Sequence, residues 1–146
     1  SVLVIPEGPK FRMPERVLYA CDYQSLPKEE HLAELKGIIG AFGSELQIFH
    51  VGNGTSSDEE DIRLKKNVIK QLESSVSEIN YSYRNVAEEN IIDGLKKGIE
   101  EFKADILVMS PHKYGFWSSL FHKSVTKEML FEGAIPLLSI PSSLMD

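Results

Sequence analysis

The sequence predicts a doubly wound α/β domain: a five-stranded parallel sheet in the order 3-2-1-4-5, with helices on both faces. Short apolar strand segments recur about every thirty residues, and helical spacing of apolar residues separates each from the next. This alternation is typical of parallel βαβ units with right-handed crossovers. The length and composition agree, because 146 residues with 42% apolar and 26% charged residues can form one domain with a buried core.

The predicted strands are short apolar segments that end at polar residues, glycine or proline. They cover residues 16–21, 45–51, 79–83, 106–109 and 136–140. Pro27 opens the first helix, and Gly43 ends it as a left-handed cap. The second helix follows a capping box at 57–60 and exposes a run of Lys and Glu. The third carries its apolar residues at helical spacing, Ile91, Leu95, Ile99 and Phe102.

An additional strand is predicted at the N-terminus, from Ser1 to Pro6. Its sequence, Ser-Val-Leu-Val-Ile-Pro, is similar to Pro-Leu-Leu-Ser-Ile-Pro near the end of the chain, an apolar strand closed by proline in each case. One interpretation is that residues 1–15 are the last strand of a preceding repeat and a linker, and that residues 16–146 form the domain. The other is an ordinary N-terminal strand.

Composition and motifs exclude several classes of function. The net charge of −6 argues against nucleic-acid binding, and no apolar run is long enough to cross a bilayer. The single cysteine, Cys21, excludes an intramolecular disulfide, and we expect a cytoplasmic location.

Walker, Gly-x-Ser-x-Gly, HExxH and Gly-x-Gly-x-x-Gly motifs are missing, so the sequence gives little support for catalysis. A phospho-acceptor receiver is a poor fit, because Asp22 stands alone after the first strand and the third is predicted to end at Arg84-Asn85.

Topology places a ligand site before any family is considered. In a doubly wound sheet the crevice lies beyond the carboxyl ends of the strands, where the strand order reverses. For the predicted order this point is between the first and fourth strands, which Asp22 and Ser110 follow. Val51 ends the neighbouring second strand. We therefore expect these three residues to line one site.

The segment from 104 to 126 resembles the C-terminal signature of the universal stress protein family. Nucleotide-binding members of that family carry Gly-x-x-Gly, nine residues, and then Gly-Ser or Gly-Thr between the fourth strand and the last helix. In this sequence the three glycine positions hold Ser110, Lys113 and Lys123, whereas the serine is present as Ser124. The resemblance implies an adenine-nucleotide alpha-hydrolase-like fold and, by position, a nucleotide site.

Carried over residue by residue, the resemblance implies that Asp22 accepts hydrogen bonds from the ribose or adenine side and that Ser124 donates to phosphate. The full set of candidate nucleotide-binding residues is Ala20, Cys21, Asp22, Val51, Met109, Ser110, Lys113, Lys123, Ser124, Val125 and Thr126. Glycine serves in such loops because a β-carbon obstructs close approach of the backbone to phosphate. The replacements predict lost ATP binding; the alternative is altered binding of AMP or another small anion, helped by the two lysines.

Histidines and aromatic residues near the predicted site have two interpretations each. His50, His112 and His122 could gather at the carboxyl edge as metal ligands, but their spacing matches no metal motif, and packing or loop hydrogen bonding is the preferred role. An aromatic loop contains Phe116, Trp117, Leu120 and Phe121. It either covers the crevice or forms an exposed docking surface.

From these observations we expect a non-catalytic stress-response or regulatory domain that acts through association and carries a degenerate nucleotide site. The alternative is a sensor or slow hydrolase of adenine nucleotides. No cofactor is required in the first case; ATP or AMP is the ligand in the second. In the family that the sequence resembles, the edge of the fifth strand commonly makes a dimer by antiparallel pairing. Here that strand runs from Pro136 to Ile140, and the segment Ser1 to Pro6 could fill its edge within the chain or across a dimer.

Overall fold

The computed structural model describes residues 2–4, 13–20, 29–52, 59, 62–63, 66, 70, 80–87, 91–109 and 135–139. They form a six-stranded sheet with helices packed against it. The strands are β1 (Val2–Val4), β2 (Arg16–Ala20), β3 (Glu45–Gly52), β4 (Tyr81–Ala87), β5 (Ile106–Met109) and β6 (Leu137–Ser139). Helix α1 covers Glu29–Phe42, and helix α2 covers Ile91–Phe102.

Five of the strands, β2 to β6, run parallel in the spatial order β4-β3-β2-β5-β6. Counted along the chain from β2, this is the order 3-2-1-4-5, so the predicted topology is confirmed. The N-terminal strand β1 pairs antiparallel with β6, within the same chain. It therefore covers the edge of β6 that the five parallel strands alone would leave open.

Strand β2 lies at the centre of the sheet, between β3 and β5. The residues that follow Arg16 in this strand are 1% exposed or less, and β5 is buried along its whole length. Burial on both faces explains why these two strands are continuous apolar runs rather than alternating patterns. It also explains why the predicted strands at 16–21 and 106–109 agree with β2 and β5.

Two apolar clusters lie on opposite faces of the sheet. Side chains of β2 alternate between them, so Val17 and Tyr19 belong to one cluster, and Leu18 and Ala20 belong to the other. Leu35 and Ile39 of α1 complete the first cluster. Leu95 and Phe102 of α2 complete the second. Helices thus cover both faces, as the sequence predicts.

The start of β2 is hydrogen-bonded to the turn between α1 and β3. Ser44 is buried, its Oγ donates to the carbonyl oxygen of Pro14, and its N–H donates to the carbonyl of Ile39 at 3.0 Å. The N–H of Glu45 donates to the carbonyl of Glu15 at 2.8 Å. These bonds anchor the chain immediately before β2 to the end of α1.

Strand β4 differs from its prediction. The alternation of Ile79, Tyr81 and Tyr83 predicts a strand at 79–83, but β4 runs from Tyr81 to Ala87 and pairs with β3 as far as Gly52. The prediction that Arg84-Asn85 ends the third parallel strand is therefore wrong. As the outermost of the parallel strands on its side, β4 can carry polar residues, and an ion pair joins Arg84 to Glu101 of α2.

Helix α1 ends at the predicted glycine. Gly43 has a φ of 61°, and the N–H of Ser44 bonds back to the carbonyl of Ile39, the pattern of a Schellman cap. Phe42, which has the helical spacing of the core residues, is 40% exposed at the last position of the helix. The apolar spacing therefore overestimates burial at this terminus.

Helix α2 ends with the same cap, although it has no glycine there. Lys103 has a φ of 57°, its N–H bonds to the carbonyl of Glu100 at 3.3 Å, and the N–H of Ala104 bonds to the carbonyl of Ile99 at 3.0 Å. A residue with a β-carbon is strained in this left-handed conformation.

We expect Lys103→Gly to raise the free energy of unfolding by about 1 kcal/mol, because glycine adopts positive φ without the steric cost. Urea denaturation followed by far-UV circular dichroism measures the change. The control is Lys97→Gly, an exposed lysine inside the same helix, which should lower the free energy of unfolding by about 1 kcal/mol. A loss of stability in both variants would contradict the strain assigned to Lys103.

The second predicted helix is represented by single described residues between 59 and 70. Those residues are helical and exposed: Glu59, Ile62, Arg63, Lys66 and Lys70. The prediction that the charged run is a solvated face is confirmed for these positions. Ile62 is 52% exposed, so at this residue the predicted apolar side is wrong.

No helix among the described residues combines the length and the apolar character that crossing a membrane requires.

Candidate functional site

The strand order reverses between β2 and β5, where the prediction places a ligand crevice. These two strands pair in parallel, and their last described residues, Ala20 and Met109, lie side by side in register. Met109 in turn lies opposite Ser139 of β6. The last described residues of β2, β5 and β6 are therefore level with one another.

On the other side of β2 the described part of the sheet extends further. Ala20 is opposite Phe49 of β3, but β3 continues for three more residues to Gly52. Strand β4 accompanies it, with Val51 opposite Val86 and Gly52 opposite Ala87. At about 3.3 Å per residue, β3 and β4 project roughly 10 Å beyond the level of Ala20. We call this projecting part of β3 and β4, residues 50–52 and 85–87, the side wall.

The structure brings three candidate residues to this region. Ala20 and Met109 expose 1% and 3% of their surface and belong to the same apolar cluster as Phe49, so they form a floor rather than a polar contact. Val51 lies on the side wall. The remaining candidates, Cys21, Asp22, Ser110, Lys113, Lys123, Ser124, Val125 and Thr126, lie outside the described residues, as do His112, His122 and the aromatic loop.

The side wall includes His50, which the sequence analysis places at the carboxyl edge, and two residues that it did not suggest, Asn85 and Ala87. His50 is half-buried on β3 opposite Asn85 of β4, and Ala87 lies opposite Gly52. Asn85 and Ala87 were missed because the strand was predicted to end at Tyr83. The only available signal was Val86, an apolar residue that resumes the pattern after two polar ones.

Charge is unevenly distributed between the two ends of the sheet. At the amino ends, Arg16, Glu45 and Asp105 begin or precede neighbouring strands, and the N–H of Arg16 donates to Asp105 Oδ2 at 3.0 Å. At the carboxyl ends, the described positions 18–20, 50–52, 85–87, 107–109 and 137–139 contain no Asp, Glu, Lys or Arg; Arg84, opposite Phe49, lies one residue before this level of β4 and forms an ion pair with Glu101 of α2. Charged contacts to a ligand would therefore have to come from elsewhere in the chain.

A metal centre has no support within the described ranges, where no group of three His, Cys, Asp or Glu side chains is placed to hold an ion. His50 has an interaction of its own within the protein. Of the three histidines considered as ligands, it is the one that these ranges include.

No protein-family model matches the chain. No curated protein matches it either.

Solved structures of universal stress proteins are similar to the chain in fold. A universal stress protein from Archaeoglobus fulgidus superposes with a TM-score of 0.63 at 18% identity, over 86% of this chain and 92% of that one. The universal stress protein from Archaeoglobus fulgidus in complex with dAMP has a TM-score of 0.62 at 18% identity, over 90% and 99%. A universal stress protein in complex with cAMP has a TM-score of 0.63 at 16% identity, over 90% and 100%. At these identities the likeness shows the fold.

Proposed function

We propose that this chain, which has the universal stress protein fold, is a non-catalytic stress-response or regulatory domain of that family, acting through association and carrying a weakened nucleotide site. The observation on which the proposal mainly depends is the loop sequence after β5. The positions that match the glycines of nucleotide-binding members hold Ser110, Lys113 and Lys123. Strand β5 ends beside β2 at the reversal of strand order, so this loop sequence follows the floor of the crevice.

The physical argument concerns the closeness of backbone and phosphate. Phosphate groups bind to exposed backbone N–H groups, and glycine allows the closest approach and positive φ. Three β-carbons at these positions obstruct such contacts. Among the described residues near the carboxyl ends of the strands, the charged one is Arg84, and it forms an ion pair with Glu101. We therefore expect weak or absent binding of nucleoside triphosphates.

A second candidate function is an adenine-nucleotide sensor or slow hydrolase. It is favoured by the two similar structures that hold dAMP and cAMP. The sequence keeps Asp22 and Ser124, and Lys113 and Lys123 would add charge-assisted contacts to a phosphate. The two candidates differ in whether the unmodified chain binds a nucleotide.

Restoring the glycines distinguishes them. We expect the melting temperature of the unmodified protein to stay constant when AMP or ATP is added. The variant Ser110→Gly/Lys113→Gly/Lys123→Gly should gain affinity, because the backbone becomes accessible to phosphate. At about ten times the dissociation constant, binding would add about 1.4 kcal/mol, or roughly 4 °C for a chain of this size. A thermal-shift titration measures this.

The control adds Asp22→Ala to the glycine variant and should abolish the gain if the nucleotide occupies the predicted crevice. A clear shift of the unmodified protein that Asp22→Ala removes would establish the sensor instead. A glycine variant that folds and binds neither nucleotide would show that more than the three loop residues separates this site from nucleotide-binding members.

The proposal includes a cytoplasmic location and no required cofactor, both of which remain predictions from the sequence. It also includes association, as a homodimer or with a tandem repeat, through the fifth strand, Pro136 to Ile140, and the N-terminal strand, Ser1 to Pro6.

A further inference from the structure

The second predicted helix presents an exposed face on which the two signs of charge are separated along the chain. The described residues of this helix are helical and exposed: Glu59, Ile62, Arg63, Lys66 and Lys70. Spacings of three, four and seven residues place them on one side of a helix. In a chain of net charge −6, this face begins with an acidic residue and continues with three basic ones. Ile62, which is 52% exposed, lies between the two parts.

Lys66 has no oppositely charged neighbour at helical spacing in the sequence. Glu59 precedes Arg63 by four residues, which is the spacing and the order that favour an ion pair within a helix. The residues three and four positions from Lys66 are Ile62, Arg63, Ile69 and Lys70. Two of them are cations, and like charges at this spacing destabilise a helix. An acidic group on a second molecule would therefore relieve the repulsion around Lys66.

A second copy of the chain supplies such an acidic group by symmetry. Two helices that pair about a two-fold axis perpendicular to them run antiparallel, and each presents the same face to the other. With the axis between Ile62 and Arg63, Glu59 of each copy would lie opposite Lys66 of the other, and the two Ile62 residues would lie beside the axis. Pairing Glu59 with Lys70 instead would place Arg63 opposite Lys66, which are like charges. The first register is therefore the favoured one.

This helix lies far from strand β6 in the order of the sheet. It belongs to the connection between β3 and β4, and β4 is at the end of the sheet opposite to β1 and β6. A right-handed crossover in this direction puts the helix on the same face of the sheet as α1, which connects β2 to β3. Its exposed face is therefore a surface distinct both from the β6 edge and from α2.

We propose that two copies of this chain associate through this face, with the helices antiparallel about a two-fold axis between Ile62 and Arg63 and with Glu59 of each copy paired with Lys66 of the other. The inference adds a surface to the association in the proposed function and does not depend on the nucleotide site. Contact between two single helices is small against the roughly 1,200 Å² of the smallest stable interfaces, so the dimer exchanges with the monomer. Its ion pairs are exposed to solvent, so added salt weakens it.

Charge reversal in the full chain tests the pairing. In analytical ultracentrifugation the mass of the unmodified chain should rise with concentration from 16.4 kDa toward twice that value, and less so at high salt. Glu59→Lys and Lys66→Glu should each raise the dissociation constant at least about tenfold, because two attractive contacts become repulsive. An equimolar mixture of the two variants should recover the dimer, since each lysine then lies opposite a glutamate again.

The matched control is Lys97→Glu, which changes the net charge by the same amount at an exposed position of α2. Its dissociation constant should stay within about twofold of that of the unmodified chain. Circular dichroism verifies that each variant is folded. A monomer at every concentration overturns the inference, and so does a mixture that is no heavier than its components. A dimer of equal mass in all variants also overturns it, but leaves association through β6, and with it the proposed function, in place.

Discussion

Replacing Gly98 with alanine should lower the free energy of unfolding by about 2 kcal/mol, even though alanine is the better helix former. A β-carbon at this position of α2 would lie 2.5 Å from Cζ and 2.7 Å from Cε2 of Phe49. Phe49 is fully buried on β3, within the apolar cluster between α2 and the sheet. The ring cannot move aside without disturbing its neighbours, and such overpacking typically costs about 1–3 kcal/mol.

Helix α1 provides the matched control. A β-carbon at Gly37 meets nothing within 4 Å, so Gly37→Ala should raise the free energy of unfolding by about 0.5–1 kcal/mol. Phe49→Leu should partly rescue Gly98→Ala, because a smaller side chain leaves room for the methyl group, and the double variant should be more stable than the sum of the single effects. Urea denaturation of these four variants and of the unmodified protein measures these differences. Equal stabilisation by Gly98→Ala and Gly37→Ala would contradict the close contact between position 98 and the ring of Phe49.

Removing the side chain of Arg16 should cost about 1.5 kcal/mol. Its Nη1 donates to the carbonyl oxygen of Phe102 at 2.9 Å, at the C-terminal end of α2, and its guanidinium carbon lies 5.6 Å from the centre of the Phe102 ring. A hydrogen bond from a charged donor to a helix-terminal carbonyl is worth about 1.5–3 kcal/mol, which we reduce because the side chain is 46% exposed.

Two further substitutions separate the contributions of Arg16. Arg16→Lys should recover less than half of the loss, since an ammonium group cannot combine the hydrogen bond with stacking on the ring. Glu45→Gln should change the free energy of unfolding by less than about 0.5 kcal/mol, because the pair is exposed and its Nε and Oε2 atoms are 3.8 Å apart. Chemical denaturation is again the measurement. A larger effect of Glu45→Gln than of Arg16→Ala would mean that the ion pair, and not the contact with Phe102, stabilises this end of the sheet.

The order of the parallel strands could be predicted because burial and connectivity leave few alternatives. The apolar run at 106–109 has the bounds of β5 itself. The features that were missed depend on contacts distant in sequence or on unusual backbone conformation. Strand β4 continues through Arg84 because β3 continues beside it, and Gly98 is required by the ring of Phe49. Lys103 carries no residue-type signal of its positive φ.

The sequence and the topology could predict where the candidate site lies in the sheet, but not which side chains bind a ligand there. The pairing of β2 with β5 confirms where the strand order reverses, and Ala20 and Met109 end the described strands there. The roles of Asp22 and Ser124 come only from resemblance, and these residues lie outside the described ranges. The side wall could not be foreseen, because the predicted third strand ends at Tyr83, whereas β4 continues beside β3 to Ala87.

The hydrogen bonds around Ser44 and Glu45 limit how far a local opening at the edge of the sheet can spread. Because the carbonyl groups of Pro14 and Glu15 are tied to the start of β3, the chain is held firmly just ahead of the central strand. Loss of β1 would therefore stop at this tether instead of spreading inward, since separate bonds secure the two segments.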